Sequence, residues 1–475
     1  MTLRGQVLAG GRYLVAREAI GIVVRSLGLV LLTRLLGPLQ YGLFAGPNLV
    51  VIFLTVLATA GTDIFLIRHP GELARTWYDQ VFSFLLVGSS AVAAVAVLCG
   101  GLVGHLLGDP RYVRPFQVLA LSIPINVLWI PGRARLEREF RYRKLAWVEV
   151  GADVCQYVLG VALAFMGWGV WAAVDSFLAR QAWMLVSVYV LASYRPRWRW
   201  ETRRVGEMLG FGWVQSTTAI ANRGGDMVVP IVVGGFLGPR AVGIAALTLR
   251  LAETLSFVNR ATYRLSIVTL SKIHDDLSRL KRAVEGAMSL QMLGAAIPLV
   301  TFSVVGTVVV PLFLGPRWRA VLELFPFIAL NYAVVSLFTM QQAALIVVGR
   351  NRAVMFTNLT ALVLLYAVGV VLVPLLGLPG YGLTETVAIA GQYVNHRVMR
   401  RVMPGGVSYS ASLPWLLGFA PLLFFPVVPW PWRLALVAAP LAVIVKPRMR
   451  ADARRQLGVL QSARLARAGA AQVDL

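Results

Sequence analysis

The sequence predicts an all-α polytopic membrane protein of about fourteen transmembrane helices, with twelve as the fallback count. Three observations carry this: an apolar composition, many apolar runs of helix-spanning length, and basic residues clustered between those runs. Of the 475 residues, 58% are hydrophobic and 14% charged, and the mean hydropathy is +0.72. A soluble domain is about one quarter charged, so bilayer is the expected solvent. A formal charge of +24 would suit a nucleic-acid binder only if the cations shared one solvated face. They are dispersed between apolar runs instead, and nucleic acid is not an expected partner. Cys99 and Cys155 lie in separate apolar segments with neither metal-ligand nor redox spacing, so no metal site is expected from them. The first apolar run lacks a convincing small-residue cleavage site and is read as a span, not a removable signal.

A helix needs about 20 residues to cross hydrocarbon, where backbone groups find no water. The runs that qualify are 15–36, 43–66, 81–107, 113–131, 147–166, 169–192, 210–235, 240–270, 287–313, 321–348, 354–376, 382–399, 411–428 and 431–446. The least secure divisions are the Gly-containing turn at 166–169 and the Pro-containing turn at 429–431. Lys and Arg are retained on the cytoplasmic side, and they crowd the loops 132–146 and 193–209, then 271–286, then the positions Arg350, Arg352, Arg397, Arg400 and Arg401. Intervening loops are poor in them, which places both termini in the cytoplasm. Arg133–Lys144 and Lys272–Glu285 have the spacing of short surface helices, and 451–475 reads as a basic cytosolic tail.

An internal duplication organises the runs. Leu35-Leu36-Gly37-Pro38-Leu39-Gln40-Tyr41-Gly42-Leu43 is echoed by Phe236-Leu237-Gly238-Pro239-Arg240-Ala241-Val242-Gly243-Ile244. Leu107-Gly108-Asp109-Pro110-Arg111 is echoed by Leu314-Gly315-Pro316-Arg317-Trp318. By the span count, six helices separate the copies, which implies two like-oriented six-helix bundles and an alternating-access layout. The corresponding divisions are 1–200, 201–408, two additional helices at 409–446, and a tail at 447–475. Each Gly-Pro element acts locally as a tight turn, Gly supplying unusual backbone angles and Pro a fixed one.

Ionised side chains inside a span should face water or a partner. Arg25, Asp63, Glu149, Asp153, Asp175, Arg180, Arg223, Asp226, Arg250, Glu253, Arg260 and Arg264 fall inside the runs. Guanidinium offers planar paired donors to phosphate, so Arg25, Arg223, Arg250 and Arg260 are the candidate substrate-binding residues. Spacing of i,i+3 also allows Arg223–Asp226 and Arg250–Glu253 to pair within their own helices. Arg180 and Arg264 are candidate gate or secondary cations. Asp63, Asp226 and Glu385 are candidate coupling carboxylates. Asn222, Asn259 and Asn395 could bond sugars, and Trp213, Tyr263, Tyr332 and Tyr393 could stack on them, although packing is the commoner role for such aromatics. No catalytic residue, cofactor site or nucleotide-binding loop is expected, since neither a Gly-rich loop ending in Gly-Lys-Ser/Thr nor a His-Glu-x-x-His sequence occurs.

Thr33-Arg34-Leu35-Leu36-Gly37-Pro38-Leu39-Gln40-Tyr41-Gly42-Leu43-Phe44-Ala45 resembles the first external turn of the Wzx-like oligosaccharide flippase family in the multidrug/oligosaccharidyl-lipid/polysaccharide (MOP) exporter superfamily, particularly its colanic-acid and teichuronic-acid exporter branch. Leu136-Glu137-Arg138-Glu139-Phe140-Arg141-Tyr142-Arg143-Lys144-Leu145-Ala146 is similar to that family's stretch after helix four, and Gly167-Trp168-Gly169-Val170-Trp171-Ala172 to its helix five to six turn. The likeness spans residues 10–445. It implies a MOP/MATE-like fold and transfer of an undecaprenyl- or related polyprenyl-pyrophosphate-linked oligosaccharide between leaflets of a bacterial or archaeal cytoplasmic membrane. It also implies coupling to an H+ or Na+ gradient, and lipids and a polysaccharide polymerase or export machinery as partners. A drug or metabolite antiporter, a lipid II flippase, a membrane-embedded glycosyltransferase or polymerase and a non-transporting scaffold are the alternatives. A cation carrier would favour acidic and aromatic walls over arginine.

Overall fold

Backbone groups in hydrocarbon must satisfy one another, and this chain does so with helices alone among the described residues. The computed structural model describes residues 3–68, 73–210, 223–403 and 405–445. Trp213, Asn222, His69 and the 447–475 tail lie outside the described residues.

The helices group into two units. Unit 1 is Met1–Ala246 with Pro311–Trp318 and Gly369–Leu378. It holds α1 (Leu3–Thr59), α2 (Thr62–Arg68), α3 (Arg75–Leu98), α4 (Gly100–Leu106), α5 (Val113–Ala120), α6 (Ile123–Leu128), α7 (Ile130–Arg138), α8 (Tyr142–Phe165), α9 (Val170–Ala192) and the start of α10 (Gly234–Leu255). Unit 2 is Leu247–Val310, Arg319–Val368 and Pro379–Leu475. It holds α11 (Phe257–Leu270), α12 (Leu277–Val309), α13 (Ala320–Val347), most of α14 (Asn351–Leu376), α15 (Leu378–Ala388), α16 (Gln392–Val402), α17 (Leu413–Leu423) and α18 (Trp430–Val445). Its core is methionine-rich, with Met288, Met340, Met399 and Met403 buried beside Leu280 and Val284. Large apolar side chains such as Val158, Val190 and Leu375 point outward, as a lipid-facing surface requires.

The expected fourteen crossings, in two bundles of six plus two, are corrected by the structure. Among the described residues, seven helices are long and apolar enough to cross a membrane, or eight if the bent pair Pro110–Ala120 and Ile123–Arg138 is one span. Hydropathy counted each apolar run as one straight crossing and could not see where helices break. The run 382–399 is interrupted at Ile389–Gly391 and leaves two helices of 11 residues. The run 411–428 yields an 11-residue helix, about 17 Å long at 1.5 Å per residue and short of a 30 Å core. The run 240–270 breaks at Ser256, and the run 113–131 divides among α5, α6 and α7. α9 has 23 residues but carries Asp175, Arg180 and Gln181, which dilute its apolarity. The first two expected spans form one long run, α1, whose non-helical residue is Gly37.

The echoed turns gather at one end of unit 1. Gly37 (φ 70°, ψ 173°) and Gly238 (φ 76°, ψ −176°) adopt the same left-handed break at equivalent places, a conformation that a Cβ disfavours. The helices that follow cross at their glycines. A methyl group on Gly42 would lie 1.8 Å from the Pro239 carbonyl oxygen, and one on Gly243 would lie 2.1 Å from that of Pro38. This reciprocal approach is the structural counterpart of the duplicated motif. Arg34 Nη1 donates to the carbonyls of Leu312 (3.0 Å) and Phe313 (3.2 Å), and Trp318 Nε1 donates to the Thr33 carbonyl at 3.2 Å.

At the opposite end, the chain leaving α9 straps across the start of α3. Tyr194 Oη (2.7 Å) and the Arg197 N–H (3.2 Å) both donate to Asp79 Oδ1. The Arg199 N–H donates to Ser83 Oγ, and the Glu201 N–H to Gln80 Oε1. Acceptor oxygens of the buried Asp79, Gln80 and Ser83 on α3 are thereby satisfied by a segment with no ladder of its own.

Candidate substrate site

Three helices of unit 1 bring charge together at mid-length. Arg25 lies twelve residues before the break at Gly37, roughly 18 Å along the helix axis. Asp153 lies near the middle of the 24-residue α8, and Arg180 near the middle of the 23-residue α9. Arg25 Nη1 donates to Asp153 Oδ2 at 2.9 Å, and Arg180 Nε donates to Asp153 Oδ1 at 3.2 Å. The Asp153 side chain is 3% exposed, whereas Arg25 and Arg180 remain 33% and 28% exposed. One carboxylate therefore anchors two guanidiniums whose outer faces stay accessible, and the cluster carries one net positive charge.

Small residues make this convergence geometrically available. The Arg25 guanidinium folds back over Gly21, where a methyl group would come within 2.9 Å of Nη1. The Tyr157 ring of α8 fills the groove left by Gly28, and Ser176 of α9 packs on Gly160. Helices without bulky side chains at these crossings approach closely enough for short charged bonds to form between them.

The other sequence candidates are distributed differently. Arg223 Nη1 bonds Asp226 Oδ2 at 3.1 Å, with both side chains about half exposed. Arg250 Nη1 bonds Glu253 Oε2 at 3.1 Å. Both are pairs within three residues, as their spacing allows. The backbone of α11 includes residues 260 and 264, but the side chains of Arg260 and Arg264 lie outside the described ones. Asp63 is exposed at the start of α2.

In unit 2, Glu385 is gripped from two helices. Tyr381 Oη donates to its Oε1 at 2.6 Å, and Asn331 Nδ2 donates to its Oε2 at 3.0 Å and to its backbone carbonyl at 2.7 Å. Asn259 accepts from Gln291 Nε2 at 3.3 Å. Asn395 is fully buried and donates to the Phe338 carbonyl at 3.4 Å. Tyr263 and Tyr332 are half-buried and Tyr393 is 61% exposed. Among the described residues, no group of three or more His, Cys, Asp or Glu side chains is placed to hold a metal ion.

Sequence reasoning placed Asp153 inside a span and left it without a role, yet it is the centre of the charge cluster. The available signal was its i,i+4 relation to Glu149 on an otherwise apolar helix, which puts both carboxylates on one face. Arg180 was read as a gate or secondary cation, and the structure brings it to Arg25 through Asp153.

The chain matches the family described as polysaccharide biosynthesis proteins over residues 31–323. It is 24% identical over 223 residues to the succinoglycan biosynthesis transport protein ExoT of Rhizobium meliloti (strain 1021), covering 47% of this chain and 45% of that protein. It is 22% identical over 326 residues to the lipopolysaccharide biosynthesis protein WzxC of Escherichia coli (strain K12), covering 68% of this chain and 66% of that one. The chain thus spans about half to two thirds of the length of these relatives. In shape it is similar to the inward closed conformation of the lipid II flippase MurJ, with a TM-score of 0.71 at 12% identity, covering 90% of this chain and 97% of that one. It is also similar to an inward-facing MATE family multidrug transporter of the MOP superfamily, with a TM-score of 0.60 at 16% identity, covering 80% and 96%. The two structural likenesses show that the chain shares the polytopic all-α membrane fold of those transporters.

Proposed function

The chain belongs to the family of polysaccharide biosynthesis proteins, and from that premise we propose that it carries a polyprenyl-pyrophosphate-linked oligosaccharide across the cytoplasmic membrane by alternating access, for export of a cell-surface polysaccharide. The observation that carries the reading is the arginine pair held on Asp153 at mid-length of three helices. A pyrophosphate headgroup is an anion that hydrocarbon rejects, and guanidinium is the donor set that matches it with planar, paired hydrogen bonds. Asp153 fixes the inner edges of Arg25 and Arg180, which leaves their exposed faces pre-oriented toward an incoming oxyanion. The prenyl chain stays in lipid, the sugars stay in water beside the arginine pair, and no covalent bond is broken. Arg223, Arg250 and Arg260 are the further candidate substrate-binding cations, with Arg264 as a gate or secondary cation. Asp63, Asp226 and Glu385 are the carboxylates through which an H+ or Na+ gradient would act. A colanic-acid or teichuronic-acid type of glycan and contact with a polysaccharide polymerase complete the proposal, with both termini in the cytoplasm.

The competing reading is an antiporter of cationic drugs, prompted by the likeness to the MATE transporter. The two separate in proteoliposomes offered both substrates. A flippase raises the leaflet exchange of a labelled polyprenyl-pyrophosphate oligosaccharide and leaves a cationic dye unmoved. Dye movement without leaflet exchange would reject the flippase reading.

A further inference from the structure

A cavity of about 540 Å³ lies in unit 1, where the arginine-rich segments 132–146 and 193–209 meet. Its walls include Arg75 and Tyr78 from the first turn of α3, Arg135, Arg138 and Glu139 at the end of α7, and Tyr194 from the strap. Three guanidiniums face one carboxylate, so the wall carries a formal net charge of +2. Asp79, the other nearby acid, does not line the cavity. It is turned into the protein, 5% exposed, accepts the Tyr194 hydroxyl and the Arg197 N–H, and stands 3.9 Å from Arg75 Nε, which offsets part of that guanidinium's charge.

The floor is packed into the core and the rim is cationic. Tyr78 and Tyr194 are 7% and 3% exposed and belong to the packed core. Burial, followed by the hydrogen bond to Asp79 and that residue's charge, holds the Tyr194 hydroxyl well above the usual phenol range, so it stays neutral. Each arginine is tethered: Arg75 Nη2 to the Arg195 carbonyl at 2.9 Å, Arg138 Nη1 to the Leu66 carbonyl at 3.0 Å, and Arg135 Nε to Glu139 at 2.8 Å. A guanidinium has five donor hydrogens, so a tether positions it without exhausting its donors, and less entropy is lost when a ligand binds. The first-turn N–H groups of α3 add positive potential. The carboxyl end of α7 opposes it, and Arg135 and Arg138 in that last turn offset the opposition.

We propose that this cavity is a binding site for a phosphate group, separate from the mid-length arginine pair, its phosphate supplied by a membrane lipid headgroup or free in solution. The size falls within the range of sites for small ligands, larger than one inorganic phosphate needs. Topological retention of basic residues explains why arginines occur on this side. It does not call for three of them, tethered, around one concave tyrosine floor. The inference is independent of the transport reading.

The test uses the full chain in neutral detergent with inorganic pyrophosphate by calorimetry, and in nanodiscs of phosphatidylglycerol or phosphatidylcholine with retained lipid counted by native mass spectrometry. R75Q/R135Q should weaken binding about a hundredfold, roughly tenfold per lost charge-assisted contact. R203Q/R400Q, which removes the same charge from exposed positions outside the cavity, should leave it within about twofold. If R75Q/R135Q does not fold, R75K/R135K keeps the charge but not the planar fork and should give an intermediate loss. Pyrophosphate binding that R75Q/R135Q weakens identifies a free phosphate as the ligand, and selective phosphatidylglycerol retention that the same variant loses identifies a headgroup. The proposal is overturned if the wild type binds neither, or if the cavity variants bind like R203Q/R400Q.

Discussion

Replacing Gly42 or Gly243 by alanine should destabilise the protein, although alanine is the better helix former. Relative to glycine, alanine in a helix interior is favoured by about 1 kcal/mol. At Gly42, however, the added methyl would sit 1.8 Å from the Pro239 carbonyl oxygen, short of ordinary contact near 3.4 Å by about 1.6 Å. The obstacle is backbone, so no side chain can rotate away. The two helices must separate by an ångström or more, and even a 0.5–1 Å gap forfeits a quarter to a half of the dispersion well of each pair along the crossing. Overpacking of this kind costs typically 1–3 kcal/mol, and the backbone obstacle puts these sites at the upper end, which leaves each variant net destabilised by up to about 2 kcal/mol. Because one separation relieves both clashes, Gly42→Ala/Gly243→Ala should lose less than the two single losses combined. Gly88, in α3, has open space where its methyl would go, and Gly88→Ala should be neutral or stabilising by up to about 1 kcal/mol. Thermal unfolding of the purified variants in one detergent reads all four. Stabilisation by Gly42→Ala, matching Gly88→Ala, would refute the reciprocal crossing.

Three further outcomes follow from the same geometry. Asp153→Asn leaves the Arg25 and Arg180 guanidiniums facing a neutral amide and should cost about 2–4 kcal/mol, part of which Asp153→Asn/Arg180→Gln recovers in a double-mutant cycle of melting temperatures. Tyr194→Phe withdraws a hydroxyl donor from the buried Asp79 and should cost about 2 kcal/mol, with faster amide exchange confined to residues 194–201. The Arg111 guanidinium, bonded to Asp109 at 2.7 Å, holds that carboxyl below its usual range, so the stability this pair contributes is present above the unfolded value of about 3.9 and is lost as pH falls through the lower folded value. With Arg111 58% exposed, solvent screening limits the effect to about 0.5 kcal/mol, and Asp109→Asn should abolish that pH dependence in melting curves taken from pH 5 to pH 2.

The features of the fold whose causes are local were legible. The echoed Gly-Pro turns were visible as repeats, and the structure gives Gly37 and Gly238 matching backbone angles. The i,i+3 pairs Arg223–Asp226 and Arg250–Glu253 were readable from helical periodicity alone and are found at 3.1 Å. The span count failed because hydropathy averages over residues such as Ser256 and Ile389–Gly391, where apolar sequence continues while the helix does not. Asp153 was left without a role because its partners are 128 and 27 residues away in sequence, a separation that no periodicity encodes. The tyrosine-floored cavity was hidden for the same reason, since α3, α7 and the strap meet only in the folded chain.

Leaflet transfer by a neutral version of the charge cluster tests the transport account most directly. Arg25→Gln/Asp153→Asn/Arg180→Gln removes both cations together with the carboxylate that would otherwise be left buried and unpaired, so folding can be verified by an unchanged melting curve. In proteoliposomes with a fluorescent polyprenyl-pyrophosphate oligosaccharide and an impermeant quencher, wild-type protein should speed the substrate's movement between leaflets. The folded triple variant should be slower by roughly tenfold for each arginine removed. Transfer at the wild-type rate by that variant would contradict the account.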